Sequence, residues 1–416
     1  MKVLRLSPHF YWPQLADRGW PVEFDAIGGM QSQIHDTTLA LSALGVEQTI
    51  LTLAIPGAPR IWAMDSRTRA IGVRMPILPL RSRIRGMVDL NLSWMLGALR
   101  HIAREGVRCD LVHCHFSGVY EPPMLARLLR WRTRLPLVLT IHCSSLATYH
   151  PLSYFDRAQH RLARWSERNA LRLADRIIVL TDRVRAVVED HVPGAADRMR
   201  VIPDSIDAAA FAARAPPQAV AKFRKRFRLQ QGQKTIGYVG RVAREKNWRA
   251  LLELDRLLAN QPVHFLVVGD GNERDLLERQ IRIRGREARF TVTGYQPRDA
   301  IPAALAACDV LVLPSRHEEF GSILIEAMAI GTPAVAFATG GVPSVLNHGK
   351  AGILVPDGDL EAMTSSILKV IHNPELSRGL KSAGRCWVYQ EFGLAQAASR
   401  LLHTYRELGN WDVPHR

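Results

Sequence analysis

Two carboxylates follow an apolar run in the last third of the chain. Residues 309–313 predict a buried parallel strand, and residues 323–330 predict a helix that ends at Gly331. Glu318 lies in the loop between them, and Glu326 lies one to two turns inside the helix. In an open α/β sheet ligands bind at the carboxyl ends of strands, where the helix start offers N–H groups to an anion. We therefore expect a polar ligand at this loop.

Two cations and a glycine pair could hold the anionic part of such a ligand. Arg241 and Lys246 follow the strand predicted at residues 235–239. Gly28 and Gly29 stand directly before a predicted helix, where the backbone can approach a phosphate closely. Charge and hydrogen bonding suit the two cations to a diphosphate. By number alone they are two of 55 Lys and Arg residues, and a lone Gly-Gly pair can also be a plain tight turn.

Alternating strands and helices position these residues. A chain of 416 residues is too long for one core, so we expect two α/β domains with doubly wound parallel sheets. The predicted strands are residues 3–7, 48–53, 110–115, 137–141, 177–180, 235–239, 264–268, 289–293, 310–313, 334–337 and 352–355. Residues 208–233 predict a linker with a basic helix. Residues from about 361 to 408 predict helices with breaks at Pro374 and Gly384.

The string around Glu318 resembles a known family signature. It reads E-x-FG, then EAMA, GTP and a final GG, from Glu318 to Gly341. This is similar to the Glu-(seven residues)-Glu motif of the family 4 retaining glycosyltransferases. The resemblance implies the GT-B fold, with two Rossmann-like domains facing a cleft and a C-terminal helix crossing back to the first domain. We place an acceptor-binding domain at residues 1–205, joined by residues 390–416, and a nucleotide-sugar domain at residues 206–389.

The family pattern also implies roles for individual residues. Glu318 would hold hydroxyls of the donor sugar, and Glu326 those of the ribose. Arg241 and Lys246 would stabilise the diphosphate as it leaves. His142, at a strand end, would meet the donor sugar. The implied catalytic set is therefore His142, Glu318, Arg241 and Lys246.

Further positions of the pattern imply donor contacts. The implied donor-binding residues are Gly28, Gly29, Gly269, Tyr295, Phe320, Gly321, Ser322 and Glu326. The turn at Gly269 begins like a dinucleotide fingerprint but lacks its third glycine and later acid, which argues against NAD. The family reaction is a same-face attack in which the leaving diphosphate takes the acceptor proton. The resemblance implies no cofactor and no metal, with the UDP-sugar as substrate.

A more specific resemblance concerns the acceptor. The strings GGMQ, LRSRI-x-G, HCS, YHP, IPD, GDG and S-x-HEE are similar to those of the 2-deoxystreptamine N-acetylglucosaminyltransferases of aminoglycoside biosynthesis. These enzymes use UDP-GlcNAc, or UDP-glucose in some members, and a small aminocyclitol. Carboxylates would hold such a cationic acceptor through charge-assisted hydrogen bonds. The candidate acceptor residues are Glu23, Asp25, Ser144, Tyr149 and Glu319.

Composition limits the remaining partners. The net charge is +16 and the pI is near 10.2, but no nucleic-acid-binding module is recognisable. The apolar runs are strand-sized, the N-terminus does not resemble a secretory signal, and the odd set of five cysteines is typical of reduced cytosolic thiols. We expect a cytoplasmic protein. The sequence leaves the oligomeric state open, and a membrane surface remains a possible partner.

Two other hypotheses remain open. A family 4 enzyme could extend a lipid-linked or surface polysaccharide while its basic first domain, with Arg81, Arg83 and Arg85, is docked on a membrane. A sugar-nucleotide-binding protein without turnover is a third hypothesis. The intact set of candidate catalytic residues argues against it.

Overall fold

The computed structural model describes residues 1–15, 28–76, 88–106, 108–147, 154–230 and 232–409. The chain divides into two compact units. Unit 1 consists of Met1–Pro203 together with Leu394–Arg416, and unit 2 is Asp204–Gly393. Within the described ranges, no helix is long and apolar enough to cross a membrane.

Unit 1 is built on an almost entirely parallel sheet. Its strands in chain order are β1 (Lys2–Leu6), β2 (Glu47–Leu53), β3 (Ile61–Ala63), β4 (Thr68–Val73), β5 (Leu111–Ser117), β6 (Leu137–Cys143), β7 (Arg176–Val179) and β8 (Met199–Val201). Their order across the sheet is β3-β4-β2-β1-β5-β6-β7-β8, and only the β3–β4 pair is antiparallel. Parallel strands are buried on both faces, which explains their continuous apolar runs.

Helices cover both faces of this sheet. They are α1 (Gly29–Ala43), α2 (Val88–Glu105), α3 (Glu121–Thr133), α4 (Tyr154–Leu173), α5 (Asp182–His191) and α15 (Leu394–Arg406). The last helix, α15, packs beside α1 and buries Leu401 and Tyr405 in a cluster with Val3 and Val138. The expected return of the C-terminal helix to the first domain is confirmed.

Unit 2 has the strand order of a doubly wound nucleotide-binding fold. Its strands are β9 (Lys234–Val239), β10 (Val263–Val268), β11 (Phe290–Val292), β12 (Val310–Leu313), β13 (Ala334–Phe337) and β14 (Ile353–Val355). Every pair is parallel, in the order β11-β10-β9-β12-β13-β14. The helices are α6 (Ala208–Ala213), α7 (Pro217–Arg226), α8 (Arg249–Leu257), α9 (Arg274–Ile283), α10 (Ile301–Ala306), α11 (Ser322–Ile330), α12 (Val342–Val345), α13 (Leu360–His372) and α14 (Pro374–Glu391).

The structure corrects two expectations, the helix break at Gly384 and the linker before β9. Helix α14 runs through Gly384 without a break. A Cβ at Gly384 would lie only 3.0 Å from the Met328 side chain on α11. The missing side chain therefore permits close helix packing instead of ending the helix. The linker expected within residues 208–233 is wrong for residues 208–213 and 217–226, since α6 packs on α11 and α7 packs on α10. The basic helix expected there is confirmed as α7, which has Arg224, Lys225 and Arg226 in its last turn.

Candidate functional site

The predicted catalytic residues of unit 2 lie at the point where the strand order of its sheet reverses, between β9 and β12. Strands β9 and β12 are neighbours, but the chain continues from β9 toward β10 on one side and from β12 toward β13 on the other. Loops that leave the two carboxyl ends in opposite directions form the ligand crevice of this fold class. Arg241 and Lys246 follow β9, and Glu318 follows β12.

The two loops at this point are joined by hydrogen bonds. Residues Arg244–Lys246 form a 3-10 turn, and Asn247 follows it in the left-handed region with φ 52°. The Asn247 Nδ2 donates to the Pro314 carbonyl at 3.0 Å. The Arg316 N–H donates to the Glu245 carbonyl at 3.2 Å. Sequence reasoning missed Asn247, although asparagine is among the residues that tolerate this backbone conformation.

Lys246 and Glu318 form an ion pair across these loops. The Lys246 Nζ lies 2.7 Å from the Glu318 Oε1. Glu318 is only 7% exposed, while the Lys246 side chain is 23% exposed. A carboxylate this buried needs a partner to offset its lost hydration. The two residues assigned to the diphosphate and to the sugar are thus in direct contact with each other.

Arg241 is held in a more exposed setting. Its Nη2 pairs with the Glu245 Oε1 at 2.8 Å, and both side chains are about 40% exposed. The Tyr238 hydroxyl donates to the Arg241 carbonyl at 2.6 Å. Burial raises the pKa of Tyr238, so the phenol stays protonated as a donor. The backbone of Arg241 is therefore fixed, while its guanidinium remains accessible.

The glycine pair at the end of the motif supports Glu318. Gly340 has φ 55°, and a Cβ at this position would lie 1.6 Å from the Glu318 carbonyl oxygen. The Gly341 N–H donates to the same carbonyl at 3.0 Å. Only glycine permits this approach, so Gly340 positions the Glu318 backbone. The sequence pattern contained this pair but assigned it no role.

Helix α11 begins at the same loop. Gly321 precedes it with φ 89°, and the Ser322 hydroxyl donates to the Asp204 Oδ2 at 2.7 Å. Burial raises the pKa of Asp204 to about 6, with the Ser322 hydrogen bond as the smaller, opposing cause. Sequence reasoning treated Asp204 only as part of a hinge. Glu326 is half-buried on α11, and the Phe320 ring packs edge-on against Phe392 at 5.7 Å.

Gly269 has a structural reason to be glycine. Its φ is 138°, and a Cβ would lie 2.0 Å from the Gly240 carbonyl oxygen, where the ends of β9 and β10 meet. Its N–H donates to the Gly294 carbonyl at 3.0 Å. Tyr295 follows as a half-buried residue after β11. The donor-binding roles of Gly269 and Tyr295 stay predictions.

The Gly28-Gly29 pair of unit 1 stands at the start of α1. The Gly28 N–H donates to the Gln31 Oε1 at 3.0 Å, and its φ of −97° is open to any residue. A Cβ on Gly28 would lie 3.1 Å from that same oxygen. Gly28 is therefore constrained by the close Gln31 side chain and not by a left-handed backbone.

Strand β6 carries His142 and leads to Ser144. The His142 Nε2 lies 3.1 Å from the His115 Nδ1. Ser144 is 1% exposed, and its hydroxyl donates to the Glu167 Oε1 at 2.6 Å. Ser145 donates its N–H to the Glu167 Oε2 at 2.9 Å. Sequence reasoning missed Glu167, a buried acid on α4 that fixes the turn after β6.

Glu23, Asp25, Tyr149 and the arginines at 81, 83 and 85 lie outside the described residues. Glu319, next to Glu318, is half-buried. Within the described ranges, no three His, Cys, Asp or Glu side chains are grouped as a metal site would require.

Known proteins match both units. Residues 27–210 match the family described as Glycosyltransferase Family 4, and residues 220–387 match Glycosyl transferases group 1. The 2-deoxystreptamine N-acetyl-D-glucosaminyltransferase of Streptomyces fradiae is 37% identical over 416 residues, covering 98% of this chain and 96% of that protein. The 2-deoxystreptamine glucosyltransferase of Streptomyces kanamyceticus is 38% identical over 391 residues, covering 91% of this chain and 99% of that protein.

Among solved structures, a sucrose-phosphate synthase from Thermosynechococcus elongatus superimposes with a TM-score of 0.83 at 23% identity, covering 98% of each chain. This likeness confirms the expected fold. Together with the two family matches and the nearly full-length relatives, it shows that the chain belongs to the family 4 glycosyltransferases and has their GT-B fold.

Proposed function

We propose that this enzyme transfers N-acetylglucosamine from UDP-GlcNAc to 2-deoxystreptamine with retention of configuration. The Streptomyces fradiae relative and a 32% identical relative from Niallia circulans carry N-acetylglucosaminyl transfer to 2-deoxystreptamine in their names. The Streptomyces kanamyceticus relative is a glucosyltransferase on the same acceptor. UDP-glucose is therefore the alternative donor.

The Lys246–Glu318 ion pair is the observation that carries the donor assignment. An ammonium group has three N–H donors and a carboxylate has two oxygens, so each partner keeps hydrogen-bonding capacity after pairing at 2.7 Å. In a nucleotide sugar, the phosphate and the sugar hydroxyls are neighbouring groups. Lys246, which would bind the phosphate, contacts Glu318, which would bind the sugar, and this contact suits that arrangement. Arg241 adds a second cation at the same strand end.

These residues support a same-face transfer. The bond between the sugar C1 and the phosphate oxygen breaks, and a bond from C1 to the acceptor oxygen forms on the same face. The acceptor hydroxyl proton passes to the leaving phosphate oxygen. Lys246 and Arg241 stabilise the negative charge that develops on the diphosphate. This route needs neither a protein nucleophile nor a metal, and Glu318 holds sugar hydroxyls rather than attacking C1.

The proposed acceptor is a small cation with two amino groups, so carboxylates are its natural ligands. Glu319 follows Glu318 directly and is half-buried. Glu23, Asp25 and Tyr149 are the proposed partners from unit 1. Ser144 would act through the turn that Glu167 fixes, since its hydroxyl is already donated to that carboxylate.

The test is product analysis. Purified enzyme is incubated with UDP-GlcNAc or UDP-glucose and a panel of aminocyclitols, and the products are identified by mass spectrometry. We expect a pseudodisaccharide with 2-deoxystreptamine and preference for UDP-GlcNAc. If the enzyme prefers UDP-glucose, the assignment of UDP-GlcNAc as the donor is wrong. If no aminocyclitol product forms, the assignment of 2-deoxystreptamine as the acceptor is wrong.

A second candidate function uses a lipid-linked acceptor. It is favoured by an exposed face of α3 and α4, where Trp131 is 79% exposed and Trp165 is 50% exposed. The Arg127 guanidinium lies 4.7 Å from the centre of the Trp165 ring. Tryptophan and arginine together suit an anionic lipid surface. Activity that requires anionic liposomes would favour this candidate over the aminocyclitol.

A further inference from the structure

A buried arginine lies beneath His142 in unit 1. Arg5, the fourth residue of β1, is 0% exposed. Its Nη2 lies 2.8 Å from the His115 Nε2, and its Nε donates to the same nitrogen at 3.2 Å. The His115 Nδ1 in turn lies 3.1 Å from the His142 Nε2. Three side chains from β1, β5 and β6 therefore form a continuous hydrogen-bonded chain.

The guanidinium of Arg5 is fixed by hydrogen bonds to neutral groups. Its Nη1 donates to the Thr38 Oγ1 at 2.5 Å and to the Gln48 Oε1 at 3.3 Å. All of these partners are neutral, and in the described ranges no carboxylate lies within ion-pair distance of Arg5. A buried charge without a counter-charge is costly and needs an explanation. The hydrogen bonds to His115, Thr38 and Gln48 offset part of this cost, and they tie the charge to His115.

The chain of hydrogen bonds determines where the protons are. Arginine has donors only, so the His115 Nε2 must accept. A neutral imidazole with Nε2 as acceptor carries its proton on Nδ1, and His115 therefore donates from Nδ1 to the His142 Nε2. By the same rule, neutral His142 carries its proton on Nδ1.

The surroundings of the chain keep both imidazoles neutral. Burial, with His113 and Arg5 as further causes, holds the pKa of His115 well below its usual range. Burial, and secondly Arg5, lowers the pKa of His142 to about 3. His113 packs beside His115 with ring centres 4.1 Å apart and is bonded to the Tyr405 hydroxyl on α15.

We propose that Arg5 and His115 are positioning residues that hold His142 as a neutral imidazole with its proton on Nδ1. His142 then acts on the donor sugar as a hydrogen-bond donor and does not serve as a base for the acceptor. The role of His142 as a donor to the sugar rests on the proposed function, because it requires that His142 meets the sugar. The tautomer of His142 concerns unit 1 alone and can be tested without substrate.

The direct test is ¹⁵N–¹H correlation spectroscopy of the full chain with labelled histidine, between about pH 5 and pH 8. The His142 signals are assigned by their loss in His142→Gln. We expect one neutral form with the proton on Nδ1 across this range. In Arg5→Met, which removes the buried charge at similar volume, His142 should show both tautomers or take up a proton at the acidic end. A wild-type proton on Nε2, or a charged His142 near pH 6, would overturn the proposal.

The hydrogen bonds from Arg5 through His115 to His142 form a relay, and a matched pair of variants tests this relay without removing Arg5. His115→Gln offers an oxygen to Arg5 and an N–H to His142, whereas His115→Phe fills the space without either group. We expect His115→Gln to keep the His142 Nδ1 tautomer and most of kcat. His115→Phe should lose the tautomer and on the order of 10- to 100-fold in kcat, with a smaller change in KM. Equal kcat and equal spectra in the two variants would refute the relay.

The tautomer of His142 and its role in sugar transfer can be refuted separately. If the Nδ1 tautomer is found but His142→Gln transfers sugar at the wild-type rate, the relay stands and the role of His142 in transfer is wrong. If His142→Gln is inactive but the tautomer is absent, the transfer role stands and the relay is wrong.

Discussion

Replacing Lys246 by alanine should separate its binding role from its structural role. The change leaves the Glu318 carboxylate, 7% exposed, without its cation at 2.7 Å. Removing one partner of a fully buried ion pair costs about 3–5 kcal/mol. Because the Lys246 side chain is 23% exposed and water can replace part of it, we expect a loss of about 2–4 kcal/mol in the free energy of unfolding of unit 2.

Arg241→Ala provides the comparison. The Arg241–Glu245 pair is about 40% exposed on both sides, so its loss should cost only about 0.2–1 kcal/mol. Both variants should lose on the order of 10²- to 10³-fold in kcat, as for removal of a preorganised charge that stabilises the leaving group. The two substitutions thus share the kinetic effect and differ in the structural one.

The assay combines urea unfolding with initial rates of UDP release. Arg244→Ala is the matched control, since this exposed cation lies in the same 3-10 turn as Lys246 and should change stability by less than about 0.5 kcal/mol. Adding Glu318→Gln to Lys246→Ala should restore most of the lost stability but none of the lost rate. Lys246→Ala as stable as Arg241→Ala would refute the buried pair, and near-normal rates in both would refute the diphosphate role.

Three further predictions concern metal, acceptor and pH. Activity should survive EDTA, and a loss that Mg²⁺ or Mn²⁺ restores would contradict the metal-free route. Glu319→Gln should raise the KM for 2-deoxystreptamine and leave donor hydrolysis nearly unchanged, measured by UDP release with and without acceptor; an unchanged KM would remove Glu319 from the acceptor site. The lowered pKa values of His113, His115 and His142 mean that the unfolded chain binds more protons below about pH 6.5, so unit 1 should lose up to about 1.4 kcal/mol per histidine per pH unit on acidification. The raised pKa of Asp204 acts oppositely, since its folded form binds the extra proton between about 6 and 3.8, and should stabilise unit 2 by up to about 1.4 kcal/mol per unit there. Urea unfolding followed by hydrogen exchange resolves the two units, and equal pH dependence in both would contradict these assignments.

The sequence predicted the central strands well and the edges poorly. Strands β12 and β13 have the predicted bounds, because a parallel strand buried on both faces is a continuous apolar run. Strands β3 and β4 were missed. The edge strand β3 has only three residues, and in its neighbour β4 the charged Arg69 interrupts the apolar pattern. The pairing of β4 with β2 depends on contacts between residues that are distant in sequence.

The site was predictable in its parts but not in its contacts. Arg241, Lys246 and Glu318 were identifiable as strand-end residues. Their pairing was not, since Lys246 and Glu318 are 72 residues apart and meet only because β9 and β12 are adjacent in the sheet. Arg5 gave no signal, because an arginine inside an apolar strand reads as a solvent-facing residue until the packed helices are known.

The most direct test of the account is the structure of the product formed by wild-type enzyme from UDP-GlcNAc and 2-deoxystreptamine. Proton NMR of the isolated product reports its anomeric configuration. The account predicts an α-linked N-acetylglucosaminyl pseudodisaccharide, formed without added metal or membranes and nearly absent with Lys246→Ala. A β-linked product, or sugar transfer that occurs only with anionic vesicles, would contradict it.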